Sequence, residues 1–179
     1  MIARARPLKG VFFRSVEFRF MDPDEVLSGA GAERDGGRFV PAGTKAIYLS
    51  KEDATASNEV TARKSRLGTA SQITIERYPR VVFGVEVQIE NHIDFTRRSR
   101  SKAIEDIKAL CLDPDDLGTS QEIGRFLFAA GIQGILFPSV LGKGTNLVLN
   151  RKQCSAKNVS ISNRAEFVNK TREIVGDKV

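Results

Sequence analysis

The chain has 179 residues, 41% of them hydrophobic, with 28 Lys and Arg against 22 Asp and Glu for a formal net charge of +6. That length and apolar fraction fit one domain, spanning 1–179, with a core of its own, and no apolar run approaches the ~18 residues needed to cross a bilayer. The basic excess favours an anionic partner without choosing among nucleotide, nucleic acid and acidic protein, and Met1–Gly10, though basic, lacks the apolar stretch and cleavage site of a secretory signal.

Val11 to Phe20 is rich in aromatic and β-branched residues and predicts a strand, with Phe12, Arg14, Val16 and Phe18 on one face. Arg14 thus stands on a mainly apolar face, where a guanidinium needs an anion or an internal ion pair. Met21 to Gly37 carries turn chemistry and predicts a surface loop, followed by a short strand from Ala46 to Ser50. Ser50 and Asp53 have the spacing of a capping box opening a helix over about 51–64, on which Ala56, Glu59, Val60 and Arg63 share one side.

Gln72–Glu76 and Arg80–Ile89 predict two strands of a hairpin joined at Tyr78-Pro79. His92, the one histidine, follows a turn-like Glu90-Asn91 and reads as a solvated loop residue; alone, it excludes paired-histidine metal motifs and leaves little room for Ser-His-Asp or Cys-His catalysis. Arg97 to Lys102 is the densest basic run but has no interleaved aromatic for base stacking, so it reads as a solvated loop, and nucleic acid is not the expected partner. Ala103 to Cys111 has helical spacing, and Thr119 to Glu122 reads as a capping box before a helix over Ile123–Ala130 that ends at Gly131.

Two further strands follow, Gly134–Ser139 and Thr145–Asn150, with Ser139 at a strand end beside a proline, a place that exposes a hydroxyl. Past Arg151 the chain is polar until Phe167, whose spacing with Val168, Thr171, Ile174 and Val175 predicts a terminal amphipathic helix over about 164–176. That helix could pack on its own core or on a second copy, so a homo-oligomer is open. Cys111 and Cys154 are too few for a disulfide framework or a metal clip, and reduced thiols and no metal site are expected. The elements amount to an α/β (α+β) fold: a mixed sheet flanked by helices.

Within this frame Arg38 lies in a glycine-bounded turn, Tyr48 on a strand and Glu59 on the next helix. An arginine, an aromatic ring and a carboxylate together suit a ligand anionic at one end and a flat cation at the other, and NAD is such a ligand. Each residue also has a plainer reading. Glu59 has Arg63 at i,i+4 for an ion pair; Arg38 could be an exposed loop residue, Tyr48 a core tyrosine, and Ser139 a strand-end serine. Neither GxGxxG opening a βαβ unit nor GxxxxGK[ST] occurs, so NAD would be consumed rather than held as a cofactor.

Phe13-Arg14, Ser28-Gly29, Gly36-Gly37-Arg38, Pro41-Ala42-Gly43, Ile47 to Ser50, Glu59, Ala129 to Gly131, Phe137-Pro138-Ser139 and Asn146 to Asn150 occur in an order that resembles the RES-domain family, over a core of about 11–150. The resemblance implies a split β-core similar to ADP-ribosyltransferase toxins, and a bacterial toxin that cleaves the nicotinamide–ribosyl bond of NAD by hydrolysis or phosphorolysis. It implies a cognate antitoxin of the Xre type or an immunity protein as partner, and action in the cytoplasm of its own cell or of a target cell. By matching positions it assigns Arg38, Tyr48, Glu59 and Ser139 to the active site, with Arg14 as a further arginine binding NAD, and phosphate as a possible co-substrate. Phe39 stands where the family usually has tryptophan, and the span from Glu59 to Ser139 is long for it. Two other readings compete: ADP-ribosyl transfer to a protein, and a non-catalytic basic module that binds nucleic acid.

Overall fold

The computed structural model describes residues 5–56, 80–113, 116–139 and 144–162. Two long strands, β1 (Arg6–Glu17) and β3 (Arg80–Asp94), pair antiparallel from Glu17 opposite Arg80 to Leu8 opposite Ile89, with an irregularity before Arg6 meets His92. Next to them, β5 (Thr145–Asn150) lies antiparallel between β2 (Ala46–Ser50) and β4 (Gly134–Pro138). The end of β3 pairs parallel with β4, and Phe13 of β1 meets Ser50 of β2. The order β1-β2-β5-β4-β3 therefore closes back on β1 as a small barrel, and β6 (Val159–Ile161) adds to the outer edge of β3.

Alternation along the strands makes two apolar clusters on the two sides of this sheet. Phe12, Val16, Ile47, Leu49, Phe83, Val85, Val87, Leu147 and Leu149 fill the inner one. Phe39, Phe95, Ile135, Phe137 and Val148 form the outer one under two helices, α3 (Lys102–Leu112) and α4 (Leu117–Ala129). Because β4 and β5 are covered on both sides, they read as continuous apolar runs rather than alternating ones. Phe39 is fully buried and meets the rings of Phe95 and Phe137 edge-on, with centroids 5.9 and 5.0 Å away.

Several elements differ from the sequence expectation. β1 starts at Arg6 and stops at Glu17, where Phe18–Phe20 turns into a 3-10 helix. The predicted surface loop holds two short helices, α1 (Pro23–Val26), whose first amides are capped by Asp22, and α2 (Ala30–Asp35); each buries one apolar residue, Val26 and Ala32. Ser50 does not cap the following helical turn at 53–56, because its hydroxyl is used on β5. Asp53 instead accepts from the Ala54 amide, and Glu52 from the Thr55 hydroxyl and the Thr145 amide.

Likewise α4 begins six residues before the predicted start. Asp116 is its cap, accepting from both the Thr119 amide and hydroxyl, so Thr119 lies inside the first turn. Its end follows expectation: Gly131 has φ +89°, its amide bonds to Phe128 O and that of Ile132 to Leu127 O, the Schellman arrangement. His92 is a buried strand residue rather than a solvated loop one, with Nδ1 2.7 Å from Arg6 O. β6, only three residues long, was not anticipated within the polar tail.

Cys111 and Cys154 are buried free thiols, each pushed up to about 11 by burial. The basic run is solvent-exposed at Arg97, where Asp94 pairs with it at 2.8 Å, and its backbone is held from below by buried Lys108, which donates to Arg97 O and Glu105. Among the described residues no helix is long and apolar enough to cross a membrane. The expected hairpin partner at 72–76, most of the Glu59 helix and the terminal helix over 164–176 lie outside the described residues.

Candidate active site

The barrel is incomplete at one seam. β1 and β2 share a single register position, Phe13 opposite Ser50, although β1 runs on to Glu17 and β2 begins at Ala46. Past that position no further register pair joins β1 to β2. There Arg14 donates from Nη1 to Tyr48 O at 2.9 Å.

Arg14 is opposite Phe83 and alternates with Phe12 and Val16, so its stem rises from the inner apolar cluster. Its Nε is buried and has no hydrogen-bond partner. Burial lowers its pKa from 12.5 to about 10, and the nearby positive charge of Arg80 adds to that shift. The side chain remains a cation at neutral pH. A buried cation that leaves a donor unused is the arrangement expected of an anion site.

Tyr48 is half-buried, and its position is over-determined. Its hydroxyl oxygen accepts from the Phe39 amide at 3.1 Å. Its ring lies so close to Gly37 that a Cβ there would stand 2.4 Å from the hydroxyl oxygen. The turn carrying Gly37, Arg38 and Phe39 closes on itself through a bridge between Gly37 and Val40 and is strapped to α4: Ser120 donates its hydroxyl to Arg38 O, and Gln121 its amide to Gly37 O. α4 approaches this turn at Gly124, where a Cβ would sit 2.0 Å from Phe39 O.

Arg38 is half-buried, not the exposed loop residue of the plainer reading. Its Nη1 donates to Cys111 O at 3.0 Å and Asp113 O at 2.8 Å, satisfying carbonyls at the negative end of α3. Arg38 therefore ties the turn that positions Tyr48 to a second helix.

Ser139 is buried, with 6% exposure, contrary to the exposed hydroxyl expected of it. Its amide donates to Gly144 O at 3.0 Å. On β2, β5 and β4, residues Tyr48, Ser50, Asn146 and Ser139 alternate onto the outer side shared with Val148, Ile135 and Phe137. Ser50 and Asn146 face each other across the ladder, and Ser50 Oγ lies 2.7 Å from Asn146 Oδ1. The sequence analysis assigned Ser50 to a helix cap and did not anticipate this buried polar pair; a lone polar residue ending an apolar strand is the one signal it leaves.

Direct contacts thus join Arg14 to the Tyr48 carbonyl and the Tyr48 hydroxyl to the Arg38 turn, with Arg14 on the inner side of the sheet and the Tyr48 ring on the outer; Ser139 shares that outer side but stands past the Pro138–Thr145 rung, two strands over and further along β5 than Val148, which faces Tyr48. Glu59 lies outside the described residues. A shallow concavity lined by Phe13, Asp53, Ala54, Val82 and Gly84 is on the opposite side of the β1–β3 ribbon from Arg14, and among the described residues no candidate lines it.

No curated protein matches this chain. Among solved structures, the crystal structure of the M. tuberculosis MbcT-MbcA toxin-antitoxin complex contains a chain similar in fold, with a TM-score of 0.71 at 20% sequence identity, covering 92% of this chain and 90% of that chain. The family model described as "RES domain" matches residues 11–168. On that match, which takes in the seam, the Arg38 turn and all three strands beneath Tyr48, the chain belongs to the RES domain family.

Proposed function

We propose that this protein is a toxin that cleaves the nicotinamide–ribosyl bond of NAD and is held in check by a cognate antitoxin or immunity protein. The observation that carries the reading is Arg14, a buried cation with an unused donor at the seam beside Tyr48. NAD supplies the complement: a pyrophosphate for a guanidinium and a flat cationic ring for an aromatic one. The partner reading is supported by family membership and by the similarity to a chain from a toxin-antitoxin complex. An ADP-ribosyltransferase-like split core would account for a barrel that opens between β1 and β2.

In this reading Arg14 binds phosphate, while Arg38 holds the turn against which Tyr48 is fixed and adds to the positive potential. Tyr48 offers its ring to the nicotinamide, and Ser139 hydrogen-bonds the nicotinamide–ribose half. The C1′–N bond breaks with its electron pair going to nicotinamide, which leaves neutral. Glu59 stabilises the oxocarbenium-like ribose by charge, as carboxylates do in glycoside hydrolysis. Water or phosphate then bonds to C1′, giving ADP-ribose with loss of a proton to solvent, or ADP-ribose 1″-phosphate.

The test is NAD turnover by the purified protein with and without phosphate, with products read by NMR, and Glu59→Gln as the control. Nicotinamide release that disappears in a folded Glu59→Gln variant is the expected result. Absence of turnover, together with a wild-type melting temperature unmoved by NAD, would overturn the reading. NAD binding without free ADP-ribose would direct the same chemistry to a protein acceptor.

A further inference from the structure

We propose that Glu52 is a positioning residue for NAD cleavage, its carboxylate fixing the segment that leads to Glu59 against the strand end that carries Ser139. The inference rests on the NAD-cleavage reading above and adds to it a residue that acts without touching the substrate.

Glu52 stands where the chain leaves β2. Beyond the rung of Ser50 and Asn146, the Lys51 amide donates to Thr145 O at 2.8 Å, one half of the exchange made by an antiparallel hydrogen-bonded pair. A side chain takes over the other half: the Thr145 amide donates to Glu52 Oε2 at 3.0 Å. The helical turn at 53–56 begins at the next residue, with Glu52 O accepting from the Ala56 amide at 3.1 Å. Glu52 therefore occupies the cap position of that turn, where Ser, Thr, Asp and Asn are the preferred residues. The longer side chain does what those cannot, because the same oxygen that accepts from the Thr55 hydroxyl at 3.3 Å also reaches β5.

Both ends of this tie belong to segments of the candidate site. Thr145 is also the last rung of β5 on β4, opposite Pro138, and the adjacent Ser139 amide donates to Gly144 O at 3.0 Å. On the other side Thr55 and Ala56 are buried, and Glu59 follows in the sequence. Gly144 shows how closely the two segments meet: its φ is +106°, and a Cβ on it would stand 2.2 Å from Thr55 Oγ1 and 2.9 Å from Glu52 Oε2. A carboxylate oxygen makes charge-assisted bonds to an amide and a hydroxyl, stronger than neutral ones. Glu52 is itself exposed, so its loss is expected to show in the placement of these segments more than in global stability.

Substitutions separate this role from a plain loop tie. Glu52→Ala removes the acceptor, Glu52→Gln keeps an oxygen for the same two donors, and Thr55→Val cuts one of the two bonds with little change of shape. Steady-state NAD cleavage should show kcat lowered about tenfold or more in Glu52→Ala, because small misplacements of reacting groups are costly in rate. KM should change less than about threefold, since Arg14, the phosphate ligand of the parent reading, is untouched. Glu52→Gln should recover most of the lost kcat, and Thr55→Val should fall between the two. A merely stabilising role predicts a lowered melting temperature in Glu52→Ala with wild-type kcat at temperatures where it is folded, and that result overturns the proposal. A folded Glu52→Gln as slow as Glu52→Ala overturns it too. Should Glu52→Ala not fold, Thr55→Val decides, with wild-type kcat counting against the proposal and lowered kcat at unchanged KM for it. If the wild type neither cleaves NAD nor is stabilised by it, the parent reading fails instead; wild-type cleavage with unchanged kcat in the variants sinks only this inference.

Discussion

Replacing Arg14 by methionine should make the free protein more stable while removing its affinity for NAD. The guanidinium is moved from 12.5 to about 10, chiefly by burial and secondarily by Arg80. At about 1.4 kcal/mol for each tenfold change in proton affinity, that displacement represents about 3 kcal/mol of unfavourable charge burial. Against it stands the hydrogen bond to Tyr48 O, with a net worth of about 1 kcal/mol. Methionine has a comparable reach and fills the same apolar surroundings, so Arg14→Met should gain about 1–2 kcal/mol. In a domain of this size that raises Tm by about 2–8 °C.

The sign of the pH dependence follows. A base whose folded pKa lies below its unfolded one destabilises the fold by a constant amount at all pH values below about 10, and the penalty fades as pH rises from there toward 12.5. The gap between wild type and Arg14→Met should therefore be flat from pH 6 to 9. Thermal unfolding by circular dichroism, with and without NAD, is the assay. NAD should raise the wild-type Tm and leave the variant unmoved. A variant less stable than wild type, or a gap that changes near neutral pH, would mean that Arg14 already has a titrating anionic partner, and the argument for an anion site would fall.

Other residues give separate expectations. Gly37→Ala places a Cβ 2.4 Å from the Tyr48 hydroxyl oxygen and should destabilise by about 1–3 kcal/mol; unchanged unfolding and unchanged tyrosine fluorescence would contradict the packing described. Gly124→Ala meets a rigid carbonyl, Phe39 O, at 2.0 Å and should cost about 3 kcal/mol or more in chemical denaturation. Arg38→Met should lose about 1–2 kcal/mol and speed amide exchange at the end of α3, where Cys111 and Asp113 carbonyls lose their donor. Cys111 and Cys154, both raised to about 11, contribute stability that is complete below pH 9 and lost as pH rises through 11. Replacing both by alanine should flatten that alkaline limb, and rapid labelling of either thiol in the native state at pH 8 would refute their burial.

The sequence by itself determined the local elements whose information is short-range. The alternation in Val81–Ile89, the spacing in Ala103–Cys111 and the left-handed position at Gly131 come from residue types within a few positions of one another, and the strands, helix and cap are found there. It also marked Arg14 as an arginine on an apolar face, because a period of two is enough to assign a face. What only the tertiary structure decided is where hydrogen-bonding groups are spent. Ser50 has the local spacing of a helix cap, yet its hydroxyl goes to Asn146, 96 residues away, because closing the barrel brings β5 within 2.7 Å. Arg38 reads as a loop arginine until α3 arrives with unsatisfied carbonyls, and Ser139 as an exposed hydroxyl although the fold buries it. The seam itself, one shared register position between two strands, is a property of closure: twist and shear around a ring set where a ladder opens, and no window of the sequence contains both sides of it.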